Sequence, residues 1–145
     1  MITHVEFRSS AFPPYDGEEN EINPGRYGKR LAEFLANGLK EKGFQPREPI
    51  AEDWGWVIPI QNDGFRLRVG CGKYDEYPEG FLCFIEPHVP AIRKYIFFGL
   101  TDTTARVSAL QKAIDELLSA NPAITDKKWW SYEEFNKGNH RSRDK

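Results

Sequence analysis

The sequence predicts an α+β domain: an antiparallel β-sheet of four to five strands with two α-helices packed on one face. Three observations predict it. The chain opens with strand-like alternation, its middle holds consecutive strand-like segments, and two amphipathic helical stretches flank that middle. Strands that follow one another, instead of alternating singly with helices, favour a meandering antiparallel sheet over a doubly wound one. A chain of 145 residues is of single-domain size, and it can bury roughly 70% of the surface its unfolded form exposes. No metal or disulfide staple is needed. The domain is expected over residues 1–131, with 132–145 as a charged, disordered C-terminal tail.

Thr3, Val5 and Phe7 alternate with Ile2, His4, Glu6 and Arg8, as suits a half-buried strand. Pro13 and Pro14, followed by Asp16, Glu18, Glu19 and Glu21, read as a solvated loop. Asn23-Pro24 then opens a helix over 24–42, with Asn as N-cap and Pro at the first helical position. Tyr27, Leu31, Phe34, Leu35 and Leu39 form its apolar stripe, and Gly43 ends it.

Residues 53–71 read as a hairpin about Asp63-Gly64, a favoured two-residue type I′ turn. That turn sets Ile60 against Leu67, Ile58 against Val69 and Trp56 against Cys71, with the large apolar groups on one face. A slip of one residue would put arginines there instead. A third strand over 80–86 fits beside it with Cys83 opposite Cys71. Phe81 and Ile85 then join the apolar face, Glu86 meets Arg68, and Phe84 covers Gly70. Residues 92–100 read as a fourth strand, placed at an edge by Pro87 and Pro90. Thr101 or Asp102 caps a second helix with the stripe Val107, Leu110, Ile114, Leu117 and Leu118, ended by Asn121-Pro122. Residues 124–130 form a short extended segment.

The run Glu19-x-Glu21-Ile22-Asn23-Pro24-Gly25-Arg26-Tyr27-Gly28, then Leu31-Ala32-Glu33-Phe34-Leu35 with Gly43, then Glu52-Asp53-Trp54-Gly55-Trp56, resembles a group of small uncharacterised bacterial proteins. The resemblance covers most of the folded body. It implies a bacterial cytoplasmic single domain, and brings no activity or catalytic residue with it.

Composition excludes several classes. The net charge is −2, and because Lys137, Arg141, Arg143 and Lys145 face only Asp144 in the tail, the body is more acidic than the whole. Phosphate backbones require clustered cations, so no nucleic acid is expected as partner. No apolar run approaches the roughly 18 residues of a membrane span, and no basic-then-apolar leader opens the chain. Two cysteines, Cys71 and Cys83, are too few for a disulfide framework and are not at zinc-site spacing. The expected location is cytoplasmic, with reduced thiols.

Trp54 and Trp56, two apart on a strand, should share one face. Such a surface is either core or a recognition site, and the hairpin register assigns Trp56 to the core. Trp54 stands at the strand end beside Glu52 and Asp53, where it is open to a partner. The acidic-aromatic loop Tyr74, Asp75, Glu76 and Tyr77 would extend that surface if it converges on the same place. A negative surface of this kind attracts a protein with a basic surface. The expectation is a non-enzymatic cytoplasmic binding protein, for example an immunity-type protein that neutralises a basic toxin domain. The alternative is a small hydrolase or ligand-binding enzyme in a cleft near the sheet end, built on Asp53, Glu86 and His88. A metal set of His4, Glu6, Glu86 and His88 would require the first strand to pair beside the third. There is no phosphate-binding glycine loop, His-Glu-x-x-His or Gly-x-Ser-x-Gly, so no cofactor, metal or catalytic residue is assigned. Oligomeric state is left open.

Overall fold

A computed structural model of the chain describes residues 1–74, 78–93 and 99–143. The elements are β1 (Ile2–Ser9), α1 (Glu18–Glu21), α2 (Lys29–Glu41), β2 (Ile50–Glu52), β3 (Gly55–Ile60), β4 (Leu67–Lys73), β5 (Gly80–Glu86), β6 (Ala91–Arg93), β7 (Leu100–Asp102), α3 (Thr104–Ser119), β8 (Ile124–Ser131) and α4 (Tyr132–Arg143). Six strands form one antiparallel sheet in the order β2-β3-β4-β5-β1-β8, and β6 pairs with β7 in a separate two-stranded sheet. The α+β class is as expected, with more strands and helices than the sequence counts. β2 adds a strand at one edge, and the segment over 124–130 lengthens into β8 at the other.

The central register follows side-chain chemistry. Trp56, Ile58 and Ile60 lie opposite Cys71, Val69 and Leu67, and Cys71 lies opposite Cys83. Glu86 pairs with Arg68 across the strands at 2.7 Å, and a Cβ on Gly70 would overlap the Phe84 ring. The link over 61–66 is longer than a two-residue turn. It is closed by Asn62 Nδ2, which donates to Phe65 O at 3.2 Å, with Gly64 in the left-handed region at φ +92°. β1 enters between β5 and β8, setting Val5 against Cys83 and Phe7 against Phe81. Val5, Phe7, Trp56, Ile58, Ile60, Leu67, Val69, Cys71, Phe81 and Cys83 join the stripes Leu31, Leu35, Leu39 and Val107, Leu110, Ile114, Leu118 in one buried cluster, so α2 and α3 cover the same face.

Four expectations are corrected. The first helix starts at Lys29, not Pro24: Asn23 to Arg26 instead close a turn, with Arg26 N–H donating to Asn23 O at 2.9 Å and Gly25 at φ +77°. Proline second and left-handed glycine third is the signature of a type II turn, which outcompetes the capping role of Asn23. The segment read as a fourth strand falls into β6 and β7, which pair with each other; residues 94–98 lie outside the described residues. The expected disordered tail from 132 instead begins as α4, whose first turn is fixed by Ser131 and Glu134, each bonding the other's backbone N–H at 3.1 Å. Trp54 and Trp56 do not share a face, for a reason that belongs to the site.

Candidate interaction surface

Asp53 and Trp54 are the two turn residues between β2 and β3, whose ladder closes on the Glu52–Gly55 pair. Strand alternation therefore does not reach Trp54. A Cβ on Gly55 would strike the carbonyl oxygen of Cys71, and one on Gly72 would come 2.9 Å from Trp54 O, so glycine on both strands lets the turn press against β4. The turn carries Trp54 over the sheet face opposite the helices, where its ring packs on Phe84 at 5.1 Å and remains 38% exposed. Trp56, in contrast, is 4% exposed within the core. Asn23 Nδ2 braces the turn from below by donating to Asp53 O at 2.9 Å.

Glu18 ties this end of the molecule together. It is 2% exposed, and its carboxylate accepts four hydrogen bonds. Oε2 takes Gly28 N at 2.8 Å, Lys29 N at 2.9 Å and Trp56 Nε1 at 2.9 Å, while Oε1 takes Tyr15 N at 3.0 Å. A carboxylate on the first amides of α2 both satisfies orphan donors and complements the helix dipole. Sequence pattern alone places Glu18 in a solvated loop. One signal points to it: once Pro24-Gly25 is assigned to a turn, α2 has no local capping side chain and needs a remote acceptor.

The neighbouring acids converge. Burial raises the pKa of the Tyr27 phenol, and the charges of Glu19, Glu79 and Glu18 raise it further. The Tyr27 backbone oxygen accepts Lys73 N at 3.0 Å, which joins the segment before α2 to the end of β4. Tyr74, two residues beyond Gly72 on the same strand line, comes to the same end of the sheet and packs toward Phe135 at 6.1 Å. Of the residues expected at the surface, Glu52, Asp53, Trp54 and Tyr74 are therefore brought to one end. Asp75, Glu76 and Tyr77 lie outside the described residues.

Behind Trp54 the second face carries a run of rings. Phe84 stacks on His4 at 5.6 Å, His4 on Phe135 at 5.1 Å, and Tyr132 on His88 at 3.9 Å. His4 is 6% exposed, with Nδ1 at 2.9 Å from Thr3 Oγ1. Burial first, and the charge of His88 after it, lower its pKa to about 4 against the opposing charge of Glu86. The ring is neutral at pH 7, as stacking inside an aromatic layer requires.

The hydrolase grouping is not assembled. Asp53 turns beside the Gly72 end of β4, whereas Glu86 pairs with Arg68 at the other end of the ladder. Four residues along a strand is about 13 Å. Neither Asp53, Glu86 nor His88 lines any of the three described clefts. β1 does pair beside β5 as the metal set required, but among the described residues no three His, Cys, Asp or Glu side chains converge. The Cys71 and Cys83 sulfurs lie 3.8 Å apart, buried and unbonded, and burial pushes the Cys83 thiol well up, against any nucleophilic role. No described helix is long and apolar enough to cross a membrane.

Comparison of the chain with protein-family models, with curated proteins and with solved structures gives no match.

Proposed function

We propose that this chain is a non-enzymatic binding protein of the bacterial cytoplasm whose partner is a protein with a basic surface. The contact residues are Glu52, Asp53 and Trp54 of the β2–β3 turn, extended by Tyr74, Asp75, Glu76 and Tyr77. An immunity-type role, in which the acidic face neutralises a basic toxin domain, is the concrete form of this reading. Neither a nucleic acid nor a membrane is its target.

The observation that carries it is the seating of Trp54: a large aromatic side chain, 38% exposed, held on Phe84 at 5.1 Å by a glycine-fitted turn and flanked by two exposed carboxylates. A tryptophan that is rigid and still accessible binds with little ordering cost, and tryptophans are enriched at interface hot spots. The carboxylates of Glu52 and Asp53 beside it favour a cationic partner and speed its encounter. The test is affinity capture from native lysate with the wild type, Trp54→Ala and Glu52→Gln/Asp53→Asn. A specific basic protein held by the wild type and lost by both folded variants is expected. Retention of the same proteins by all three chains would overturn the proposal.

A further inference from the structure

We infer that the groove between α2 and residues 46–49 binds a small organic anion carrying two acidic groups, carboxylate or phosphate. None of Glu52, Asp53 and Trp54 lines it, so it is separate from the interface proposed above. The groove encloses about 620 Å³, inside the range of roughly 300 to 1,000 Å³ for small-molecule sites.

One wall is a single stripe of α2. Lys29, Glu33, Asn37 and Lys40 follow at helical spacing along it, and Ala36 leaves room between the ends. At 1.5 Å per residue, Lys29 and Lys40 stand roughly 16 Å apart along the axis. The other wall, Pro46-Arg47-Glu48-Pro49, is stiffened by its two prolines and pinned to β3, where Arg47 N–H donates to Pro59 O at 2.8 Å. Trp56 contributes an apolar floor. The Lys29 ammonium sits 5.2 Å from the Trp56 ring centre and 5.6 Å from that of Tyr15, so one cation is already positioned between two rings.

Among the described residues, Lys29, Lys40 and Arg47 form no ion pair, whereas Lys42, one turn from the groove, is bound to Glu116 at 2.7 Å. Of the two lining carboxylates, Glu33 already accepts the Tyr15 hydroxyl at 3.2 Å. Three cations stand against these two acids in the lining, and the nearby Glu18 carboxylate is turned beneath the groove onto Lys29 N and Trp56 Nε1. Because cations line both walls, Lys29 and Lys40 on α2 and Arg47 on the opposite strip, a ligand with one acidic group meets only one wall, and one with two acidic groups engages both across the groove.

The test is an NMR titration of the ¹⁵N-labelled full chain with citrate, with pyrophosphate and with acetate, following the Trp56 indole N–H and the Lys29 and Arg47 amides. Arg47→Gln and Lys40→Gln remove exposed cations of the groove, and Lys112→Gln removes one on α3 outside it. Saturable shifts are expected with citrate, with pyrophosphate or with both, weakened about tenfold in each groove variant, the effect of losing ~1.4 kcal/mol. Lys112→Gln should bind as the wild type does, and acetate should leave the signals in place. A response to citrate alone assigns a carboxylate ligand, and a response to pyrophosphate alone a phosphate. Absence of a saturable shift at about 10 mM of either probe, ten times a millimolar Kd, overturns the inference. Shifts unchanged in Arg47→Gln and Lys40→Gln also overturn it.

Discussion

Replacing Glu18 removes the acceptor of four hydrogen bonds at a site 2% exposed to solvent. Glu18→Ala leaves Tyr15 N, Gly28 N, Lys29 N and Trp56 Nε1 without a partner. Hydrogen bonds to a charged group contribute about 1.5 to 3 kcal/mol each and do not add, because water enters the vacated space and serves some of the donors. A loss of about 4 kcal/mol is expected, which is exceptional for one substitution. Glu18→Gln keeps one oxygen for the three donors on Oε2 but turns an amide N–H₂ toward Tyr15 N, and should cost about 2 kcal/mol. Urea denaturation gives both values, and thermal unfolding should show Glu18→Ala melting about 10 °C or more below the wild type. If Glu18→Ala falls within about 1 kcal/mol of the wild type, Glu18 does not hold α2, the Tyr15 segment and Trp56 together.

Two further outcomes follow from the packing. His4 is held neutral with a pKa of about 4 against an ordinary 6.5, so its contribution is intact above about pH 7 and is lost as pH falls toward 4, the unfolded chain taking up the proton first; the loss at pH 5 is about 2 kcal/mol. Urea midpoints across that range should slope in the wild type and flatten in His4→Phe, and equal slopes would contradict the assignment. Gly70→Ala should destabilise by about 2 kcal/mol or more, since its methyl meets the Phe84 ring; the companion change Gly70→Ala/Phe84→Leu should recover part of that loss in the same denaturation assay.

The sheet was legible where cross-strand chemistry is unambiguous. Arg68 with Glu86 and Gly70 under Phe84 admit one register, and the Asp63-Gly64 centre agrees with it even though the link is longer than a tight turn. Features that depend on contacts distant in sequence were not legible. Alternation put Trp54 beside Trp56, but alternation holds only within a strand, and β3 begins after Trp54. Asn23-Pro24 satisfies helix-start and turn rules equally, and Gly25 decides for the turn only when its positive φ is known. Glu18 belongs to a cap ten residues away, which no local pattern encodes. At the C-terminal end, Tyr132 and Phe135 pack on rings distant in sequence, His4 brought beside β8 by β1, His88 after β5 and Tyr74 after β4.

The central claim is that Trp54 anchors a basic protein partner at the β2–β3 turn. Its most direct measurement is the affinity of the captured partner for the wild type against Trp54→Ala, with the variant's unfolding curve confirming its fold. A hot-spot tryptophan contributes about 2 kcal/mol or more, so the Kd should rise roughly 30-fold or more. A Kd within about threefold of the wild type, or a native lysate that yields no specific partner, would contradict the account.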